Sequence, residues 1–315
     1  LSNFVLNPFR DNGKLDNKRV VSVVQATVRG MNEVLDEGIP LHPLKRQQEV
    51  ARDFRQIGLG VMGVADMFIK LGVRYGSPTS INLSRVLAKL IQETAILESV
   101  ELAKKYGSYP EYDFDIISKS NYFKSLNPSV QKEVEKYGMR NSHILSIAPT
   151  GSISTMYGVS GGIEPIFATS YTRTTKSLGV EGDTEYKVYT PVIKELMEHK
   201  GITSEEDLPD YVVTSHDIPY RERIMVPGAW QGFIDSAISP PINLNEDATI
   251  EDIIDIYKLG WKYGLKGVTV FRNNCFRTGI LKTEEKPKNV CPDCGGELMF
   301  SNGCNECRDC GFSAC

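Results

Sequence analysis

The sequence predicts an α/β fold, and two stretches carry that prediction. The first is an apolar run, His143-Ile144-Leu145-Ser146-Ile147, that reads as a buried strand. It leads directly into a turn, Ala148-Pro149-Thr150-Gly151-Ser152-Ile153-Ser154, with a helix opening over Ser152 to Tyr157. The second is Ala248 to Phe271, which reads as a helix followed by a strand, the alternation found in α/β barrels. There Thr249-Ile250-Glu251-Asp252 has the form of a capping box with the shorter acid. Ile250, Ile253, Ile254, Tyr257 and Trp261 then draw an apolar helix face, Gly264 closes it, and Val268-Thr269-Val270-Phe271 is the strand.

The 315 residues suit one large α/β domain or two smaller ones, and a hydrophobic content of 41% against 24% charged supports a sizeable core. A formal net charge of −4 argues against general binding to nucleic acid or membrane surfaces. No apolar run has the length of a membrane span, and no signal peptide is present, so a cytoplasmic location is expected. The chain opens on Leu1 rather than Met, which reads as a piece of something longer. Six of the seven cysteines lie between Cys291 and Cys315, a clustering that points to metal or redox chemistry in a reducing compartment.

Taken in order, residues 1–50 read as helical, with a polar turn at Asp11-Asn12-Gly13 and Val20, Val21, Val24, Val28, Met31 and Leu35 at helical spacing. His42-Pro43 breaks that pattern, and His42 reads as a surface loop residue. Ile57-Gly58-Leu59-Gly60-Val61-Met62-Gly63 matches GxGxxG, but a dinucleotide loop needs a preceding strand. Gln47 to Gln56 is charged and helix-favouring instead, so the glycines are read as part of a helix against which another element packs closely. Residues 82–106 form a long helix whose apolar face is Val86, Leu87, Leu90, Ile91, Thr94 and Leu97, ended by Gly107. An aromatic-rich connection over Tyr109 to Asn127 and a polar helix around Ser129–Tyr137 lead to the strand at 143–147. Residues 176–225, with His199 and His216, read as charged and peripheral, and 280–290 as a charged linker.

The turn at 148–154 is the chemically suggestive stretch. A strand, a glycine turn and a helix start aim free backbone N–H groups at one point, where helix dipole charge is positive and a phosphate is welcome. Thr150, Ser152 and Ser154 can add hydroxyl donors, and Gly151 lets a ligand approach the backbone. Gly158-Val159-Ser160-Gly161-Gly162-Ile163-Glu164-Pro165 is a glycine-rich loop that also suits close approach, with Glu164 as a polar contact; a plain connecting loop is the competing reading.

In the tail, Cys291-Pro292-Asp293-Cys294-Gly295 and Cys307-Arg308-Asp309-Cys310-Gly311 are paired zinc-knuckle signals. One assignment places zinc on Cys291, Cys294, Cys307 and Cys310 and leaves Cys304 and Cys315; the other uses Cys291, Cys294, Cys304 and Cys307 and leaves Cys310 and Cys315. The glycine after Cys310 favours the first. A nucleic-acid zinc ribbon is disfavoured by Asp293, Glu297, Glu306 and Asp309 against Arg308.

The sequence resembles the large, catalytic chain of ribonucleotide reductase. The resemblance is carried by Arg55 to Asp66, the turn at Ala148–Ser154, Gly162-Ile163-Glu164-Pro165, Asp235-Ser236-Ala237-Ile238-Ser239, and Gly264-Leu265-Lys266-Gly267-Val268-Thr269-Val270. It implies the C-terminal half of a ten-stranded α/β barrel over 1–279, a linker at 280–290 and a small zinc-ribbon-like redox tail at 291–315. It further implies that Pro149, Thr150, Gly151, Ser152, Ile153 and Ser154 hold the substrate's phosphates, and that the product is a 2′-deoxyribonucleotide formed by a thiyl-radical route. The family's radical cysteine, its two reducing partners and its nucleotide specificity site have no counterpart here; Cys275 reads as a structural thiol. Where the oxygen-dependent class carries a tyrosine pair, this chain has Val270-Phe271, and the glycyl-radical ending of the anaerobic class is absent. The adenosylcobalamin-dependent class, with its cysteine-rich tail, is resembled best; Ser239-Pro240-Pro241 departs from the expected Lys-Thr after the serine. Implied partners are a ribonucleotide, the missing N-terminal half, a thioredoxin-like reductant and a second copy in a homodimer, with no nucleic acid or membrane. Two rival functions are a nicotinamide-dependent dehydrogenase through GxGxxG and a non-enzymatic zinc-ribbon adaptor.

Overall fold

A computed structural model describes residues 1–175, 184–272, 298–301, 304–307, 310 and 312–314. They fall into two units, one running over Leu1–Thr169 and resuming at Tyr189, the other containing Ser170–Val188 and the C-terminal tail.

The larger unit begins with an antiparallel pair, β1 (Val5–Leu6) and β2 (Lys14–Leu15), around the polar turn at 11–13. Helix α1 (Asn17–Gly38) follows, capped by the Asp16 side chain, which accepts from the N–H of Arg19. The helical reading of 1–50 therefore holds from Asn17 onward, and the first residues form a hairpin instead. Val20, Val24 and Val28 are buried as their spacing predicts.

Helix α2 (Lys45–Phe54) ends at Arg55, and the chain then runs extended through the GxGxxG glycines. This corrects the helical reading of that motif. Leu59 bridges Leu145 in parallel, with Ile57 N–H donating to the carbonyl of His143 and Leu59 N–H to that of Ile144. A Cβ on Gly60 would overlap the backbone oxygen of Ser146. The glycines do permit close packing, but of two extended segments, and the contact leaves no room there for a pyrophosphate. Gly63, at φ 74°, then caps α3 (Val64–Lys70).

Helix α4 (Pro78–Tyr106) starts four residues earlier than predicted because Ser77 caps it and Pro78 takes the first position. It packs against α1, and later against α7 (Pro128–Tyr137) and α11 (Met225–Gln231). Contact on several sides explains why the one-face prediction fails. Leu87, Ile91 and Thr94 are buried, but Val86 and Leu97 are exposed, while Ser84, Ala88, Gln92, Ala95 and Ser99 are buried. Between α4 and α7, the aromatic stretch folds two short helices, α5 (Phe114–Ile117) and α6 (Asn121–Lys124).

After α7 comes the 143–147 run, then α8 (Gly151–Met156) and the glycine-rich loop. Helix α9 (Pro191–Lys200) buries Val192, Ile193, Leu196 and Met197 in the same core, and α11 buries Trp230 completely. Residues 191–225 are thus not peripheral, correcting that part of the prediction; His199 and His216 are exposed as expected. Helix α10 (Tyr220–Arg223) runs into α11.

Strands β5 (Pro241–Leu244) and β6 (Thr269–Arg272) pair in parallel across α12 (Ile250–Lys262), a β-α-β unit of barrel type. The capping box of Thr249 and Asp252 is present in both directions. Of the predicted apolar face of α12, however, only Ile253 packs against the unit's core. Ile256 and Gly260 face the unit's core with Ile224, Ile242 and Leu244, while Ile250, Ile254, Tyr257 and Trp261 are exposed. α12 carries two apolar stripes, and spacing alone does not say which one the strands cover. The described strands do not close into a barrel.

The second unit contains the pair β3 (Ser170–Thr175) and β4 (Thr184–Tyr189) and, separately, an antiparallel sheet of β7 (Leu298–Ser301), β8 (Cys304–Cys307) and β9 (Ser313–Ala314). No helix among the described residues is long and apolar enough to cross a membrane.

Candidate nucleotide phosphate site

The start of the predicted turn lines a cleft of about 230 Å³ in the larger unit, while Thr150 to Ser154 are not among the lining residues. Ile147, Ala148 and Pro149 line one side, Gly162 to Pro165 a second, and Ala237 to Pro241 a third, with Tyr75, Arg223 and Pro227 completing it. Three of the sequence stretches that carried the family resemblance thus converge on one cavity.

Each wall is fixed by side chains behind it. Asp235 Oδ2 accepts from the backbone N–H groups of Ile144 (3.1 Å) and Leu145 (2.7 Å), holding the run that leads into the turn. Gln231 clamps the 236–238 loop: its Nε2 donates to the carbonyl of Ser236 at 3.0 Å and its Oε1 accepts from the N–H of Ile238 at 2.8 Å. Tyr75 donates its phenol proton to the carbonyl of Ile163 at 2.7 Å, and burial pushes that phenol well above its ordinary range, so it stays a donor. Ser239, two residues before β5, and Thr269, at the start of β6, join their hydroxyls at 2.8 Å.

In the turn, Thr150 adopts φ 53° and directs its Oγ1 to accept the N–H of Gly162 at 2.8 Å. The Thr150 hydroxyl proton remains available for donation. Gly151, Ser152 and Ile153 are exposed, and their N–H groups precede the first intrahelical bond, Ser154 N–H to the carbonyl of Thr150. Ser154 departs from expectation: it is buried, and its hydroxyl proton goes to the carbonyl of Gly151 at 3.2 Å. Its side chain braces the turn rather than facing a ligand.

Sequence reasoning missed Tyr75 and Arg223. Neither belongs to a motif, and Arg223 sits in Tyr220-Arg221-Glu222-Arg223, which reads as surface, although the residue is only 4% exposed. Burial pushes the Glu164 carboxyl above its ordinary range, an effect that Arg223 opposes.

No group of three or more His, Cys, Asp or Glu that could hold a metal occurs among the described residues. Of the predicted tail ligands and redox thiols, Cys291, Cys294 and Cys315 lie outside the described residues, as do Cys275 and the linker at 280–290; Cys304 and Cys307 lie on β8 and Cys310 in a turn. The cleft is smaller than the roughly 300–1,000 Å³ of typical small-molecule cavities and contains no His or Cys. Its residues fit a phosphate-sized group and not a corrinoid.

The family model described as "Ribonucleotide reductase, barrel domain" matches residues 1–271. A vitamin B12-dependent ribonucleoside-diphosphate reductase of Mycobacterium tuberculosis is 29% identical over 95% of this chain and 42% of its own length. One of Thermoplasma acidophilum is 31% identical over 86% of this chain and 35% of its own length. The ribonucleoside-diphosphate reductase large subunit of vaccinia virus is 27% identical over 94% of this chain and 42% of its own length. The chain therefore spans less than half the length of these relatives. With the barrel-domain match running through both β5 and β6, the chain belongs to the ribonucleotide reductase family.

Proposed function

We propose that this chain supplies the phosphate-holding wall of an adenosylcobalamin-dependent ribonucleoside-diphosphate reductase, together with a terminal redox tail. The observation that carries it is the convergence of Ile147, Ala148 and Pro149 at the start of the turn, the 162–165 loop and the 237–241 loop on one cleft. Next to the cleft, the N–H groups of the exposed residues Gly151, Ser152 and Ile153 and the Thr150 hydroxyl hold phosphoryl oxygens, and the Gly162 N–H orients that hydroxyl from behind. Fixing the phosphates fixes the ribose beyond them, which is the positioning that a radical reaction at C2′ requires. The names of the relatives from M. tuberculosis and T. acidophilum support the cobalamin class, and Phe271, which has no phenol to oxidise, agrees with it. Adenosylcobalamin, when bound, would supply the radical chemistry.

In the tail, the cysteine spacing supports zinc on Cys291, Cys294, Cys307 and Cys310 with Cys304 and Cys315 as the exchanging thiols, or the alternative set that leaves Cys310 and Cys315. A thioredoxin-like reductant fits that tail, and the substrate is a ribonucleoside diphosphate.

The test is conversion of CDP to dCDP with adenosylcobalamin and a dithiol. This chain alone is expected to be inactive, because it lacks the radical cysteine and its partners; combination with a chain covering the remaining length of its relatives restores turnover. Gly151→Val in that assembly weakens all four ribonucleotides alike, since phosphate contacts ignore the base. A base-selective loss, or turnover by the isolated chain, contradicts the proposal.

A further inference from the structure

Arg223 closes α10 one helical turn before Pro227, and both line the cleft. The side chain belongs to a residue only 4% exposed. Its Nη1 donates to the backbone carbonyl of Asn243 at 3.2 Å, and its Nε–H is buried without a partner. Among the described residues no carboxylate forms an ion pair with it. Glu164, on the same cleft, makes no ion pair with it; burial raises the Glu164 carboxyl, and the charge of Arg223 opposes that shift. A guanidinium removed from water without a counter-ion is strongly unfavourable, and a buried donor left unpaired adds to that. Arg55 differs: it is equally buried and its Nε–H is likewise without a partner, yet both of its terminal nitrogens are bonded and it pairs with Asp36.

We infer that Arg223 is a further phosphate ligand, whose guanidinium meets the substrate's phosphate group in the cleft that Ile147, Ala148 and Pro149 also line. The planar, delocalised guanidinium makes charge-assisted contacts to phosphoryl oxygens with a fork geometry that a lysine ammonium does not reproduce. This rests on the reading of the cleft as the nucleotide phosphate site. It adds a positive side chain to a turn that offers only neutral donors, and its ligand is the phosphate chain of a nucleoside diphosphate rather than the base.

The experiment uses the assembled reductase carrying Arg223→Gln, Arg223→Lys or Thr150→Val. Dissociation constants are measured for ADP, CDP, GDP and UDP and for the four unphosphorylated nucleosides, with inorganic pyrophosphate as competitor. Arg223→Gln is expected to weaken all four diphosphates and pyrophosphate by about ten- to a hundred-fold and to leave nucleoside binding unchanged. Arg223→Lys, which keeps the charge and loses the fork, gives a smaller loss of the same selectivity, and it carries the test if the Gln variant does not fold. An equal loss for nucleosides and diphosphates assigns Arg223 a bracing role through Asn243 and overturns the inference. So does unchanged diphosphate binding in both Arg223 variants while Thr150→Val is impaired. If Thr150→Val also binds normally, the phosphate reading of the cleft falls with it.

Discussion

Thr150 accepts the backbone N–H of Gly162 through its Oγ1 at 2.8 Å, and this bond ties the turn before α8 to the glycine-rich loop that faces it. Thr150 is held in the left-handed region while making the contact, a conformation that a β-branched residue adopts only when its surroundings demand it.

Thr150→Val keeps the shape and removes the acceptor. Leaving the Gly162 N–H unsatisfied costs about 1–3 kcal/mol, and the two walls of the cleft lose their fixed spacing. Nucleotide affinity should fall by roughly ten-fold or more, and amide exchange at Gly162 should accelerate. Thr150→Ser retains the oxygen and should restore most of both. Calorimetric titration with CDP, together with hydrogen exchange, reads the two effects, and normal protection of Gly162 in the Val variant would contradict the clasp.

Gly60 makes a second, structural prediction. Its missing Cβ is what allows the backbone of Ser146 to approach, whereas a Cβ on Gly58 would meet Ser146 Cβ at an ordinary 3.4 Å. Gly60→Ala should therefore destabilise the fold by about 1–3 kcal/mol, as over-packing does, while Gly58→Ala changes stability by much less. Urea denaturation measures the difference. If the motif were a dinucleotide loop instead, the wild-type chain would bind NADH and both variants would lose it.

How much of this was legible in the sequence depends on how local the signal is. The capping box at Thr249 and Asp252 and the strand–turn–helix at 143–157 are encoded in neighbouring residues, and the structure contains the box and the turn with α8 where expected, the strand being reduced to a short parallel bridge. The direction in which α12 turns its apolar residues is not local. It is decided by strands β5 and β6, so Ile256 and Gly260 go inward and Trp261 is 84% exposed. GxGxxG fails for the same reason: what the glycines serve is Ser146, some 86 residues on from Gly60 in the chain. Arg223 is invisible until folding removes it from water.

Glu164 gives a pH prediction with a definite sign. Burial, outweighing the pull of Arg223, raises its carboxyl above the ordinary 4.5. The folded state then binds the proton more tightly than the unfolded state between 4.5 and the raised value. The resulting stabilisation is complete below the ordinary value and is lost as pH rises through the raised one. Glu164→Gln cannot titrate, so the melting temperature of the wild type relative to this variant should decline across that window and level off above it. A constant difference across the window would show that Glu164 is not perturbed.

The proposed zinc and redox reading of the tail yields the last prediction: under either assignment four of its six cysteines would be zinc ligands and two would be left. Zinc-bound thiolates are restrained, so the remaining pair should exchange with the active-site disulfide and then with an external protein reductant. Cys315 belongs to that pair in both assignments. In the assembled reductase, Cys315→Ser should abolish sustained turnover driven by a thioredoxin-like protein. It should spare a single round by prereduced enzyme, and a small dithiol that reaches the barrel directly should rescue it. Cys291→Ser should instead lose zinc and unfold the tail, since metal binding and folding are coupled in so small a module. Cys304→Ser separates the assignments by metal content: zinc stays tight if Cys291, Cys294, Cys307 and Cys310 hold it, and is lost if Cys304 replaces Cys310. Normal turnover of Cys315→Ser with the protein reductant would show that the tail does not carry the reducing equivalents.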